Sequence, residues 1–329
     1  IAAIATVVAI LLFGRTLAEM VRTYRGGQPT RRSDNPGQRT ATLLRESLLA
    51  SRLKQQPVGA IVATAHWIVL VAFFVLFLTL VTAYGQLLNP DFVIPVLGHF
   101  PPFEWLVEGL AWLMVLSIVF LIALRVSNRP DSKGRKSRFF GSTMWQAYYV
   151  EITILLVGIC VIALRAMEYA LGSSQGASWA SAVHFPFTAW IGSGLAQTPE
   201  VTLETGIAVV AFIKIAVSLA WLITVAAQPT MGVAWHRFLA FFNVWFQRNA
   251  DGRPALGPLQ PIAVKGEDID FENIDDLDDD ASLGVGVIGD FTWKALLDVN
   301  TCTECGRCQS QCPAWNTEKP LSPKLLTLA

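Results

Sequence analysis

Residues 302–313 read CTECGRCQSQCP: four cysteines spaced C-x2-C-x2-C-x3-C, with Pro313 directly after the last. Thiolates are soft ligands suited to iron–sulfur chemistry. This spacing is that of bacterial-type 4Fe-4S sites, in which the fourth cysteine of the run ligates a second cluster. Cys302, Cys305 and Cys308 are thus expected to hold one cubane cluster together with a distant ligand, and Cys312 to hold another. The fifth cysteine, Cys160, lies inside an apolar run and is expected to be a small buried hydrophobe. The missing ligand and a second copy of the motif are therefore expected outside these residues. A structural zinc site is the competing reading, but zinc ligands usually come as two pairs with a long spacer, which this run lacks.

The four histidines supply a second kind of chemistry. His66 lies near the basic-loop end of one apolar run, and His236 follows the last apolar run on the same expected membrane side. Two facing imidazoles can be both axial ligands of haem b. His99 (GHFPPFEW) and His184 (VHFPFTAW) fall on the opposite side, as candidates for a second haem or for lining a quinone pocket. Glu151 and Lys214 sit deep within apolar runs, where a charge must be paired or face a polar cavity. Glu151 is a candidate for proton transfer or for accepting a quinol hydroxyl; Lys214 could meet a haem propionate or that carboxylate. Arg165, Glu168 and Glu108 are expected to mark a membrane interface.

The elements that position these residues are membrane helices. Apolar residues make up 53% of the 329 and charged residues 15%, where about 25% is usual for soluble domains. Five apolar runs, 1–17, 59–83, 103–124, 144–167 and 203–227, can each cross a ~30 Å hydrocarbon layer or come close to it. Basic side chains crowd residues 22–59 and 126–142 and are missing from 84–102 and 168–202. By the positive-inside rule the basic loops and the C-terminal tail are cytoplasmic and the N-terminus is outside. Residues 178–196 are expected as an external loop or interfacial helix, and 231–247 as an interfacial helix or an extension of the last span past Pro229.

After Arg248 the composition changes to a Gly/Pro linker over 249–261, then to a run of acids over 267–280. That run is either a solvated spacer or a steering surface for a basic soluble partner. The expected domains are a transmembrane cytochrome b-like part (1–248), a linker (249–285) and the first part of a helical ferredoxin domain (286–329). Ile1 opens inside an apolar run with no Met, and Leu325 to Ala329 close inside a helical pattern. Both ends are expected to be boundaries within a longer protein, and no signal peptide is assigned.

On these residues the sequence resembles the membrane-bound iron–sulfur reductases related to heterodisulfide reductase. More narrowly, it is similar to the actinobacterial electron-transfer-flavoprotein dehydrogenases of fatty-acid β-oxidation. The most specific stretch is FTWKALLDVNTCTECGRCQSQCPAWNTEKPLSPKLL (291–326), joined by AHWIVLVAFFVLFLTL around His66 and HRFLAFFNVWFQR from His236. The resemblance implies an all-α membrane protein. Its five-helix haem b bundle, like the nitrate reductase gamma subunit, is followed by a linker and the start of an α-helical ferredoxin domain. It further implies that His66 and His236 ligate the haem nearer the cytoplasm, and that cysteine-rich domains follow. The gamma subunit carries a second histidine in helices two and five, which 59–83 and 203–227 lack.

The implied activity is electron transfer from reduced electron-transfer flavoprotein through two 4Fe-4S clusters and one or two haems b to menaquinone, at the cell membrane. Expected partners are the lipid bilayer, the flavoprotein and menaquinone; homo-oligomers are compatible with this reading, and nucleic acid is not expected. The alternatives are a quinol-dependent reductase of disulfides or sulfur compounds, and a non-catalytic membrane anchor.

Overall fold

The computed structural model describes residues 1–329 except 52, 56–57, 254–260, 265–266, 279–280 and 282. Arg52 of the first basic loop, most of the Gly/Pro linker, and Asp279 and Asp280 of the acidic run lie outside the described residues. Among the described residues the protein is all-α apart from a two-residue antiparallel ladder, Ala263–Val264 with Glu267–Asp268. In chain order the helices are α1 (Ala2–Arg25), α2 (Pro36–Leu48), α3 (Gly59–Gln86), α4 (Pro101–Ser127), α5 (Pro130–Lys133), α6 (Met144–Ser174) and α7 (Ala189–Ser193). They continue with α8 (Glu200–Ala227), α9 (Gly232–Trp245), α10 (Trp293–Asn300), α11 (Arg307–Gln311), α12 (Pro313–Asn316) and α13 (Pro323–Leu328).

Among the described residues five helices, α1, α3, α4, α6 and α8, are long and apolar enough to cross a membrane, so the chain is a multi-pass membrane protein. The first and the fourth run past their expected ends at Leu17 and Met167, to Arg25 and Ser174, and in the fourth the stop signal comes later. Gly176 adopts a left-handed φ of 68°, the Ala177 N–H donates to Gly172 O (2.9 Å), and the Gly176 N–H donates to Ser173 O (3.2 Å). This is a Schellman termination, which occupies the last carbonyls of the helix. Residues 178–196 form turns and the single short helix α7, and 231–247 fold as α9.

The chain divides into two compact units: residues 1–13 with 50–227, and residues 14–49 with 228–329. Residues 228–248, expected with the bundle, thus group with the tail. In the first unit α3, α4, α6 and α8 pack pairwise in a ring. Its core joins Ala72 and Leu76 of α3, Ala111 and Met114 of α4, and Val161 and Ile162 of α6. Lipid tails are as apolar as these side chains, so close packing has to replace hydrophobic burial as the force joining helices. Gly158 shows this: a Cβ there would lie 2.8 Å from Val115 Cγ2 and 3.0 Å from Met114 Cε. Phe74, Phe77, Leu116, Phe212 and similar large side chains are exposed on the outside of the bundle, as lipid contact requires.

The second unit is held by returns of the tail onto the segment after α1. The Gln28 N–H donates to Phe291 O (2.8 Å), the Trp293 N–H to Gln28 O (3.1 Å), and the Trp293 indole to Thr30 O (3.0 Å). A Cβ at Gly27 would lie 2.7 Å from the Trp293 nitrogen, so this crossing needs glycine. Buried Arg39 of α2 donates to Trp245 O (3.0 Å) and Gln247 O (2.6 Å), capping carbonyls at the end of α9 with a cation.

Candidate functional site

The cysteine segment belongs to the second unit. α10 starts at an N-cap, Thr292, whose hydroxyl accepts from the Ala295 N–H, and it ends just before Cys302. The chain then winds tightly, with Glu304 (φ 55°) and Gly306 (φ 73°) both left-handed. Cys308 follows on α11, and Cys312 joins α11 to α12, where Pro313 takes the first helical position. Among the described residues no disulfide joins the four cysteines; Cys305 and Cys308 are exposed, and Cys302 and Cys312 half-buried. Burial pushes the Cys302 thiol up, and the nearby Cys305, Cys308 and Glu304 add to that shift.

Lys324, at the start of α13 and fully buried, was not singled out from the sequence. Burial lowers its pKa, while Glu304, Cys308, Cys305 and Cys302 act in the opposite direction. One amine therefore shares its surroundings with the three thiols expected to hold one cluster. Gln309 Nε2 donates to Ser322 Oγ (2.9 Å), and that hydroxyl also accepts from the Leu325 N–H (3.2 Å), tying α11 to α13. Among the described residues no three His, Cys, Asp or Glu side chains gather closely enough to hold a metal ion. The donor set nonetheless suits a cluster: three soft thiols within one winding loop, with a buried cation whose charge would offset thiolates.

α9 rests against this loop. A Cβ at Gly232 would collide with the Cys302 carbonyl, with Asn300 O a further 3.5 Å neighbour. His236 lies one turn along α9 from Gly232 and is half-buried. His66, half-buried on α3, belongs to the first unit.

The histidines of the other pair come together. His99 and His184 meet edge to face with ring centroids 6.4 Å apart, and His99 stacks on Trp179 at 4.6 Å. Partial burial holds His99 below the usual histidine pKa. His184 Nδ1 lies 2.6 Å from Glu104 Oε2. Behind it sits Arg165, whose side chain is 11% exposed. Arg165 pairs with Glu168 (2.9 Å), Glu108 (3.1 Å) and Glu104 (3.3 Å), and donates to His184 O (2.7 Å). Its guanidinium also lies 3.9 Å over the Phe185 ring. Glu108 accepts in addition from the Phe187 N–H (2.9 Å) and the Thr188 hydroxyl (2.6 Å).

Arg165, Glu108 and Glu168 therefore do not merely mark an interface; with Glu104 they form a buried ion cluster between α4, α6 and the 175–199 loop. The sequence carried a signal for it: Glu104 and Glu108 share one helix face at i,i+4, and Arg165 and Glu168 share another at i,i+3. Only the folded bundle shows that these faces converge.

Lys214 of α8 belongs near this cluster. Its Nζ donates to Thr79 O (2.8 Å) and Thr79 Oγ1 (2.6 Å). It lines a cavity of about 50 Å³ with Thr79, Gln86, Glu104, Arg165 and Glu168. Gln86 Nε2 donates to Glu168 Oε1 (2.6 Å). A second space of about 10 Å³ borders His99, Asp91, Trp179, Arg165 and Glu168. That is the room of about one water, and a porphyrin does not fit it. Glu151 is elsewhere: it pairs with Arg125 at 2.8 Å, about 21 Å along α6 from Arg165. The expected Lys214–Glu151 contact is thus replaced by Lys214–Thr79 and Glu151–Arg125.

Three curated proteins give a context for this geometry. The chain is 26% identical over 224 residues to the EtfAB:quinone oxidoreductase of Syntrophomonas wolfei, an overlap covering 68% of this chain and 28% of that protein. It is 35% identical over 111 residues to a probable membrane-anchored ferredoxin of Chromohalobacter salexigens, covering 30% of this chain and 15% of that one. It is 34% identical over 138 residues to a probable iron–sulfur-binding oxidoreductase of Bacillus subtilis, covering 42% and 17% respectively. The chain thus spans less than a third of the length of each relative. No family model and no solved structure matches it. The chain is a five-span membrane protein similar to quinone-linked and iron–sulfur oxidoreductases, and this similarity supports an oxidoreductase function.

Proposed function

We propose that this chain is the membrane and first iron–sulfur part of an electron-transfer-flavoprotein:menaquinone oxidoreductase. When bound, 4Fe-4S clusters and haem b supply one-electron relay between a two-electron flavin donor and a two-electron quinone. Cys302, Cys305 and Cys308 would hold one cluster with a ligand from beyond this chain, and Cys312 would hold the second. Lys324 keeps a cation beside those sulfurs. His66 and His236 would be the axial ligands of a haem in a nitrate reductase gamma-like bundle, on the side of the basic loops. His99, His184 and Lys214 belong to the quinone end, and Glu151, paired with Arg125, to the opposite one. The acids of 267–280 offer a negative surface for steering a basic soluble donor.

One observation carries this reading: Gly232 allows α9, the helix of His236, to lie directly on the carbonyl of Cys302. The proposed cluster ligand Cys302 and the helix of the proposed haem ligand His236 are then in direct backbone contact. The full-length protein should show b-type bands that dithionite and reduced flavoprotein both produce. Replacing His66 or His236 by Ala should remove the signal of the haem they hold. Full haem content in both single variants would refute the assignment. A wild-type protein without any b-type bands would favour a membrane anchor.

A further inference from the structure

The ion cluster at the charge-poor end of the bundle is more than a packing device. Charged groups within a membrane bundle are costly unless paired or hydrated. Here three carboxyl groups, Glu104, Glu108 and Glu168, face the single guanidinium of Arg165. Such a cluster has acceptor capacity for a proton that the guanidinium does not neutralise. Its carboxyl oxygens also reach His184, through Glu104, and Gln86, through Glu168.

The cavities supply what a static salt-bridge network would not need. A water requires about 10–15 Å³ of such space. The 50 Å³ cavity between Lys214 and Glu104 therefore has room for roughly three to five waters, and the 10 Å³ space beside His99 for about one. Arg165 and Glu168 line both, so they form the partition between the two spaces. Gln86, 1% exposed, lines the larger cavity, and its Oε1 is buried with no hydrogen-bond partner among the described residues. A buried amide oxygen in that state calls for water. The Lys214 ammonium has a third N–H beyond the two given to Thr79. At the other end the smaller space borders His99 and Asp91, both exposed.

We propose that Lys214, Glu168, Glu104 and His184, held together by Arg165 and joined by the waters of these two cavities, form a proton path. It leads from the middle of the bundle to the His99–Asp91 surface. The inference rests on the proposed quinone function for its purpose. Reducing one quinone to quinol takes up two electrons and two protons; the electrons come from the reduced flavoprotein, and the protons reach the ring through this path. Arg165 acts as a positioning residue that keeps the carboxyl groups together.

The test uses the full-length protein in lipid vesicles containing menaquinone, a pH dye on each side, and reduced flavoprotein as donor. Protons should disappear from the side bearing His99, about two per quinol formed. Glu168→Gln and Lys214→Met should slow quinone reduction at least about tenfold while haem reduction stays within about twofold. Proton uptake only from the basic-loop side overturns the path, as does an equal slowing of both rates or no slowing of either. If those variants fold poorly, Gln86→Leu and Thr79→Val put the same question with uncharged side chains. Infrared spectroscopy in D2O gives an arm that needs no turnover. A protonated carboxyl band that exchanges within seconds in the wild type, and is lost or slowed in Glu168→Gln, supports the path. No exchange refutes it. A wild type that reduces no quinone but passes the infrared test sinks the quinone reading and spares the path.

Discussion

The two regions that gather the candidate residues are held together by opposite means. The charge-poor end of the bundle is built from long side chains reaching across an apolar interior, with Arg165 binding three carboxylates from α4 and α6. The cysteine loop is built from backbone: glycines that admit close crossings, left-handed residues that wind the chain, and helix caps. The contrast follows from solvent. Inside a bundle that lipid surrounds, a polar group needs another polar side chain as partner, so the network is tied into every helix it touches. In the tail, a loop that would enclose an inorganic group, as proposed above, gains more from backbone that can bend tightly than from side chains competing for the same space.

Substitutions can break that contrast or sharpen it. The largest effect is expected for Arg165→Ala, which strands three buried acids. A loss of about 3–5 kcal/mol should appear in thermal unfolding in detergent, with the cluster spectrum of the tail retained in the protein that stays folded. A loss near zero would mean that the carboxyl groups are neutral without Arg165. Next comes Gly232→Val, which drives a side chain into the Cys302 carbonyl. About 1–3 kcal/mol of destabilisation is expected from such overpacking, read as earlier proteolysis of the tail and a broadened cluster signal. An unchanged signal would show that α9 and the loop separate easily.

The smallest effect concerns His99. Its folded pKa lies below the unfolded value of about 6.5, so the unfolded chain binds the proton more readily. Stability should therefore fall as pH drops through about 6.5 and level off once the folded protein is protonated as well. Because the ring is largely solvent-exposed, the change should stay under about 1 kcal/mol. Chemical unfolding at pH 7.5 and pH 5 measures it, and His99→Asn should flatten the difference. An unaltered difference in that variant would assign the titration to another group.

What could be read from the chain alone follows the same division. The five spans were legible because a run of apolar residues is a local signal, and all five expected cores fall within the long apolar helices. The fourth ends late because its stop depends on Gly176, a residue whose left-handed φ is invisible to hydropathy. The cysteine spacing was visible for the same reason: all four cysteines of the motif sit within a dozen residues. Lys324 and Gly232 were not, since nothing local distinguishes a buried lysine from a solvated one, or a glycine under a carbonyl from one in a turn. Arg165, Glu108 and Glu168 were visible as charges near helix ends, while Glu104 was not singled out. Their convergence depends on the rotation of α4 and α6 about their own axes, which small residues such as Gly158 allow to pack closely. His99 and His184 were paired correctly by side, yet Trp179 and Glu104, the partners that fix their rings, lie in other segments.

The tail's two returns to the N-terminal stretch have a mechanical consequence. Residues 250 and 251 are fastened to Thr42 and Arg45, and residues 291 and 293 to Gln28 and Thr30. The chain therefore leaves and returns to one footing. A single protease nick between residues 252 and 290 would sever it without releasing the cysteine-bearing piece, which would stay clipped to residues 24–30 and migrate with the rest until denaturant is added.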